Sequence, residues 1–427
     1  MTKTLGLAAG FVLIVILVIR KRPLALAMAL GTLAVGLGTG LGLNWLARTW
    51  GAALVQKDTL SLAAMVASIT LLSYIMAVSG LHERLVNATI GLLRSAKLAV
   101  MVIPPLIGSM PIPGGAIVSA PLVDRPGDLL GLSQARKAAI NLVFRHANFF
   151  MLPFSSPVIL ASMLTKFNVY YLLRHLAPLG LVTWIAGYFV LVRGTKEVAL
   201  EQSPGSAPSG SAAEVAAGLD QGATASRGSS KHLREFLVSG SPILAALGIS
   251  LALKVPFWIA VVCGIILALG LTRKSHAWAL RELVKGVDCN LIASMFAIMG
   301  FRGVVVGGQA LSQVAEIFKG SSIPLPVLAF AVAFLISTVS ANHNTTLGIA
   351  YPMIFALISP GEVMAYAVLI FAGSFVAYFW SPLHLCQILT LDYCKVSLPQ
   401  VFREYAWVLV ALAAASWGLF YLYLPRV

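Results

Sequence analysis

The sequence predicts an all-α polytopic membrane protein of about ten transmembrane helices in two inverted five-helix repeats, each carrying a re-entrant hairpin and a broken helix. Three observations carry this expectation. The 427 residues are 59% hydrophobic and 11% charged, with a mean hydropathy of +0.90, whereas soluble domains carry about 25% charged residues. Apolar runs follow one another near the length of about 20 residues that a bilayer requires. The motifs of the first half then return, in the same order, in the second.

Runs at 5–19, 24–43 and 60–80 read as the first three spans. Arg20, Lys21 and Arg22 follow the first run with no small-residue cleavage site, so this run is expected to be retained. Residues 81–97 mix Leu81, Leu85, Ile90, Leu92 and Leu93 with His82, Glu83, Arg84, Arg94 and Lys97, the pattern of a helix lying at the interface. The apolar runs 98–107 and 116–123 are each too short to span. Between them Pro111, Pro113, Gly114 and Gly115 remove amide donors or cost backbone entropy. Broken backbone at membrane depth persists only where it is buried in protein or lines a wet cavity. Residues 98–123 are therefore expected to form a re-entrant hairpin with its tip in a binding site. A polar loop at 124–134, a helix from Ala135 interrupted at 152–157 and resumed to 164, and a span at 172–192 complete the half. Residues 198–230 collapse to Ala, Gly, Ser, Gln and Pro, a flexible cytoplasmic linker between a first repeat (1–197) and a second (231–427).

Pro256, Ala260 and Gly264 repeat Pro23, Ala27 and Gly31. Ser340 to Thr346, followed by Pro352, overlays Ser109 to Gly115, followed by Pro121. Ser381 and Pro382 overlay Ser156 and Pro157. Residues 325–357 are accordingly expected to be the second hairpin. Five spans plus a hairpin that returns to its own side make an odd number of crossings, which inverts the second copy, as in secondary transporters. With that topology, basic residues on one face outnumber those on the other by about two to one, which places that face in the cytoplasm. Both termini are then extracytoplasmic, in a plasma (inner) membrane. The net charge of +15 lies over short loops and reports topology, not nucleic acid. Cys263, Cys289, Cys386 and Cys394 show no C-x-x-C spacing and read as small buried hydrophobes.

Hairpin tips and helix breaks bring half-helix ends to the bilayer midplane. N-terminal ends suit an anion, and unwound carbonyls suit Na⁺. The candidate binding residues are Ser109, Pro113, Gly114, Gly115 and Ser119 on the first hairpin, and Asn342, His343, Asn344, Thr345 and Thr346 on the second. Asn148, Ser155 and Ser156 belong to the first break, Ser381 and His384 to the second. Hydroxyls and amides bind a carboxylate or donate oxygens to a cation, and Ser156, Asn344 and Thr345 are the candidate Na⁺ ligands. The same side chains would also cap broken helix ends. Arg145, ahead of the first break, is the candidate anion-attracting charge, because ionisable residues inside spans are costly and usually functional. His343 and His384 are candidate proton carriers. No phosphate-binding loop, zinc motif or nucleophile elbow occurs, so no enzyme is predicted. No cofactor is expected beyond Na⁺ or H⁺ as coupling ion.

Pro-x-Pro-Gly-Gly at 111–115, Asn-His-Asn-Thr-Thr at 342–346 and Ser-Pro-Leu-His-Leu at 381–385 resemble domain-of-unknown-function family 401. That family is similar to the ion-transporter superfamily of dicarboxylate, citrate, gluconate and arsenite carriers. The resemblance covers nearly the whole chain except the linker. It implies a homodimer, with a scaffold of early spans and a moving domain of hairpins and broken helices. In the dicarboxylate carriers both tips hold a Ser-Asn-Thr signature that binds carboxylate and Na⁺. Here the second tip is similar at Asn344 and Thr345, but the first has Pro113 and Gly114, a departure from a symmetric two-carboxylate, two-sodium site. The function expected is secondary transport of a small anionic, carboxylate-type solute, coupled to Na⁺ or H⁺, by elevator-like alternating access. The alternatives are cation/proton antiport through His343 or His384 on the same fold, and an intramembrane enzyme acting on a lipid.

Cysteine labelling on a Cys-less background tests the topology. Lys319→Cys and cysteines at both termini are expected to react with an impermeant reagent from outside, and Ser206→Cys only from the cytoplasm. External labelling of Ser206→Cys would overturn the charge-based orientation.

Overall fold

The computed structural model describes residues 2–20, 22–93, 95–109, 115–153, 155–196, 229–253, 255–272, 274–308 and 323–425. Among them the regular structure is helical, with no strand. The first half contains α1 (Thr2–Ile19), α2 (Leu24–Gly38), α3 (Leu43–Leu54), α4 (Lys57–Val78), α5 (Leu81–Leu92), α6 (Ala96–Gly108), α7 (Gly115–Leu129), α8 (Gln134–Ala147), α9 (Ser156–Thr165) and α10 (Val169–Gly187). The second contains α11 (Ser229–Leu253), α12 (Phe257–Thr272), α13 (His276–Lys285), α14 (Cys289–Gly307), α15 (Leu325–Ser340), α16 (His343–Phe355), α17 (Val363–Trp380), α18 (Leu385–Cys394) and α19 (Leu398–Tyr423).

Among the described residues, five segments are long and apolar enough to cross a bilayer: α4, α10 with its π-helical last turn, α11, Pro360–Cys394 and α19. The α13–α14 pair, bent by 44°, makes a sixth. The apolar helices α2, α6, α9, α12 and α15 are shorter. At about 1.5 Å per residue, the 13 residues of α6 reach roughly two-thirds of the way through a hydrocarbon core of about 30 Å. Outward faces are apolar: α2 exposes Leu26, Leu30, Leu33 and Leu37, and α10 exposes Leu181, Ile185 and Phe189. Such stripes are stable only against lipid or another apolar surface. The protein is an integral membrane protein.

The repeated Pro-Ala-Gly motif is a packing surface. Ala27 and Ala260 are fully buried. A Cβ on Gly31 would stand 2.1 Å from Ile14 of α1, and one on Gly264 would stand 2.6 Å from the Pro242 carbonyl oxygen of α11. Helix pairs in lipid gain little from the hydrophobic effect and rely on close van der Waals contact, which small residues permit. Deepest in the molecule lie α8, buried from Lys137 to Ala147, and α17, of which all but a few residues are buried.

Three expectations shift. The predicted span 24–43 ends at Gly38, because Gly40 turns the chain at φ 81°, and α3 starts as a separate helix. The predicted polar loop 124–134 is helical through Leu129 despite Pro126. Asp124 and Asp128, one turn apart, both accept from the Lys137 ammonium, at 2.6 and 2.5 Å, and this shared partner holds the turn. The break predicted at 152–157 begins earlier: α8 stops at Ala147, a 3₁₀ turn covers Asn148–Phe150, and helix resumes at Ser156. The linker 198–230, apart from the first residues of α11, lies outside the described residues.

Gly264→Val places a branched side chain against backbone that cannot rotate away. Overpacking of this kind costs about 1–3 kcal/mol. A lower melting temperature and less monodisperse protein in detergent are expected; an unchanged melting temperature would separate α11 from α12.

Candidate functional site

A helix as polar as α8 is buried here because its polar residues recur every fourth position and each meets a partner. Lys137 pairs with Asp124 and Asp128 of α7. Asn141 donates through Nδ2 to Thr390 Oγ1 of α18 at 3.2 Å. Arg145 donates through Nη1 to Ser119 Oγ of α7 at 3.2 Å. Beyond the last turn, Asn148 Nδ2 donates to the Pro105 carbonyl at 2.5 Å, tying the break to α6. Glycine is required at 108: a Cβ there would stand 2.5 Å from the Arg145 carbonyl oxygen.

Where α8 breaks, a cavity of about 280 Å³ opens between α4, the end of α6, the first break, the second hairpin tip and α17. Of the sequence-predicted residues, Ser109, Arg145, Asn148, Ser155, Ser156, Asn342, His343 and Asn344 line it. Ser119 adjoins it through Arg145. Thr345 and Thr346 lie fully buried behind the tip; Thr346 donates from its hydroxyl to the Asn342 carbonyl at 3.1 Å. Ser381 is structural, donating to the Thr338 carbonyl at 2.6 Å and accepting from Leu383 N at 3.2 Å. His384 sits behind the wall, its ring 3.7 Å from that of Tyr378. Gly115 opens α7, while Pro113 and Gly114 lie outside the described residues.

Arg145 is the only formally charged side chain among the described residues that line the cavity. Two helix N-termini face the same space. The amide end of α9 has Ser155 at its N-cap, with no side-chain capping bond, so it remains open to an anion. The α16 end is closed by Asn342, whose Oδ1 accepts from Thr345 N at 3.0 Å. The second tip reaches the first break where Asn344 Nδ2 donates to Ser156 Oγ at 2.9 Å. Asn344 Oδ1 and Thr345 Oγ1 stay buried with no partner among the described residues, a deficit of about 1–3 kcal/mol per group that a bound cation or donor would remove. His343 Nδ1 lies 2.8 Å from Ser374 Oγ, and its Nε2 has no partner among the described residues.

Thr70, His146, Phe149, Tyr378 and Cys386 also line the cavity and were not among the predicted binding residues. Phe149 and Tyr378 stand in apolar runs, where an aromatic ring carries no distinguishing pattern. The spacing of Lys137, Asn141 and Arg145 was a readable signal: a polar stripe on an otherwise apolar half-helix.

Ala341, at the second tip, holds φ 47° without being glycine. The left-handed region costs an L-residue roughly 1–2 kcal/mol. Ala341→Gly is expected to raise the melting temperature of ligand-free protein by a few degrees; a decrease would show that the tip does not hold this backbone.

No curated protein matches this sequence. The fold is shared with the YdaH transporter of Alcanivorax borkumensis, whose crystal structure is described as having an unusual topology. The TM-score is 0.59 at 13% identity, over 95% of this chain and 97% of that one. Residues 4–204 and 213–423 match the family described as a protein of unknown function (DUF401), and the chain belongs to that family.

Proposed function

We propose that this protein is a secondary active transporter of a small carboxylate-type anion, coupled to Na⁺ or H⁺ and working by elevator-like alternating access. The observation that carries this reading is Arg145, the formally charged side chain among the described residues of a cavity wall that also holds the α9 amide end, which has no side-chain cap. At about 4 Å and an effective dielectric constant near 20, a unit charge attracts an anion by about 4 kcal/mol. That outweighs the roughly 1 kcal/mol of one neutral hydrogen bond, so the wall favours anionic over cationic cargo. The unpartnered oxygens of Asn344 and Thr345, next to Ser156, suit Na⁺. His343 Nε2 is the proton-coupled counterpart.

The inverted repeat belongs to the same proposal, with α6–α7 and α15–α16 as re-entrant hairpins entering from opposite sides. Packing between the halves is reciprocal: α7 meets α18 while α16 meets α9, and α2 meets α14 while α12 meets α4. Lys166 and Lys395, which end α9 and α18, share the left-handed conformation. A homodimer in the plasma (inner) membrane, with both termini extracytoplasmic, completes the reading.

Uptake of radiolabelled mono- and dicarboxylates into proteoliposomes, with and without a Na⁺ gradient, tests it. Asn344→Ala, Thr345→Ala and Ser156→Ala are each expected to weaken binding about ten-fold or more, since a hydrogen bond to a charged group contributes roughly 1.5–3 kcal/mol. Arg145→Lys keeps the charge and loses the planar fork, and a bidentate carboxylate contact would suffer most. Normal uptake by all four variants, with only thermal stability reduced, would make these residues caps.

A further inference from the structure

At the cavity wall, a ring nitrogen of His146, one of His384 and the sulfur of Cys386 lie within 4.8 Å of one another. Two come from the second break, spaced His-x-Cys, and the third from the end of α8, so the set exists only when the two broken helices meet. His146 Nδ1 is 2.8 Å from the Leu142 carbonyl. A carbonyl only accepts, so the proton sits on Nδ1 and the Nε2 lone pair is available. A backbone partner of this kind orients many metal-bound histidines. His384 is fully buried, and neither of its ring nitrogens has a partner among the described residues. Aromatic packing with Tyr378, Phe379 and His146 explains why a flat ring fits there. It does not explain an imidazole in place of phenylalanine, since burying its two unpaired nitrogens is unfavourable.

We propose that His146, His384 and Cys386 form a three-coordinate site for a soft monovalent d-block cation, Cu(I). Two imidazoles and a thiolate are soft-to-borderline donors, which select Cu(I) or Zn(II) over Mg²⁺ or Ca²⁺. Charge decides between those two. The thiol loses its proton to water as the metal binds, so Cu(I) replaces H⁺ and the buried charge is unchanged. Zn(II) would add a net positive charge beside Arg145, which shares the surroundings of Cys386 with Tyr378. Donors about 2.0–2.3 Å from a planar three-coordinate ion stand roughly 3.5–4.0 Å apart, so small side-chain rotations close the set. The inference is independent of which solute the cavity carries.

The test uses purified full-length protein in detergent, carrying Cys263→Ala, Cys289→Ala and Cys394→Ala so that Cys386 is the one thiol. Titration against a chromophoric Cu(I) chelator is expected to show one equivalent of Cu(I) withdrawn. Cys386→Ser should abolish that withdrawal, and His384→Ala should weaken it at least ten-fold. Independently of these site variants, one equivalent of Cu(I) should block alkylation of Cys386. No transport is measured, so failure here is distinct from failure of the carrier reading. Equal Cu(I) capacity in Cys386→Ser, or alkylation unaffected by Cu(I), overturns the site. Uptake of Zn(II) in preference to Cu(I) overturns the charge argument.

Discussion

A half-helix that carries Lys137, Asn141 and Arg145 into an apolar environment must be given partners, and this requirement arranges its neighbours. Lipid competes with apolar side chains on equal terms but offers nothing to an ammonium or a guanidinium. The position of α7 therefore follows from Asp124, Asp128 and Ser119, and that of α18 in part from Thr390. The end of α6 is tied in by the Pro105 carbonyl and the bare face of Gly108. Because Arg145 is the last residue of the stripe, the charge arrives where the helix breaks, and the cavity forms around it.

The all-helical, membrane-spanning character was legible because bilayer crossing imposes a length and a composition, and the breaks because Pro and Gly interrupt them. The misread segment is instructive. Asp124, Pro126 and Asp128 have the composition of a loop, yet form a helical turn because one buried lysine binds both carboxylates. The burial of that lysine depends on residues 9 and 13 positions away, brought close only once α7 folds back. At the site, hydroxyls and amides beside helix breaks were visible because few polar residues interrupt such runs. Tyr378 was not, since an aromatic ring in an apolar helix reads as core until the neighbouring helix is found to stop short.

The two breaks divide their labour. At the second, Gln387 donates to the Ser381 carbonyl at 3.3 Å and accepts from Tyr405 at 2.6 Å, and Tyr405 also reaches the Phe379 carbonyl at 3.1 Å. This network satisfies carbonyls at the end of α17 from within. The first break has Asn148 turned away to α6, while Ser155 leaves α9 uncapped. Both α9 and α18 start without a side-chain capping bond, but the carbonyls at the end of α17 have side-chain partners of their own, whereas the first break opens on the cavity.

The formal charge of Arg145 on the cavity wall has an electrical consequence. Moving one elementary charge through a membrane potential involves about 2.3 kcal/mol per 100 mV. In the proposed carrier, before any coupling ion is counted, a wall bearing this guanidinium does that work when the cavity is empty and none when a monoanion neutralises it. A dianion reverses the sign. Each Na⁺ or H⁺ carried along adds one positive charge back. Membrane voltage then acts on a different half of the cycle for each valence of cargo, so the guanidinium that attracts the solute also determines which step the cell's potential drives.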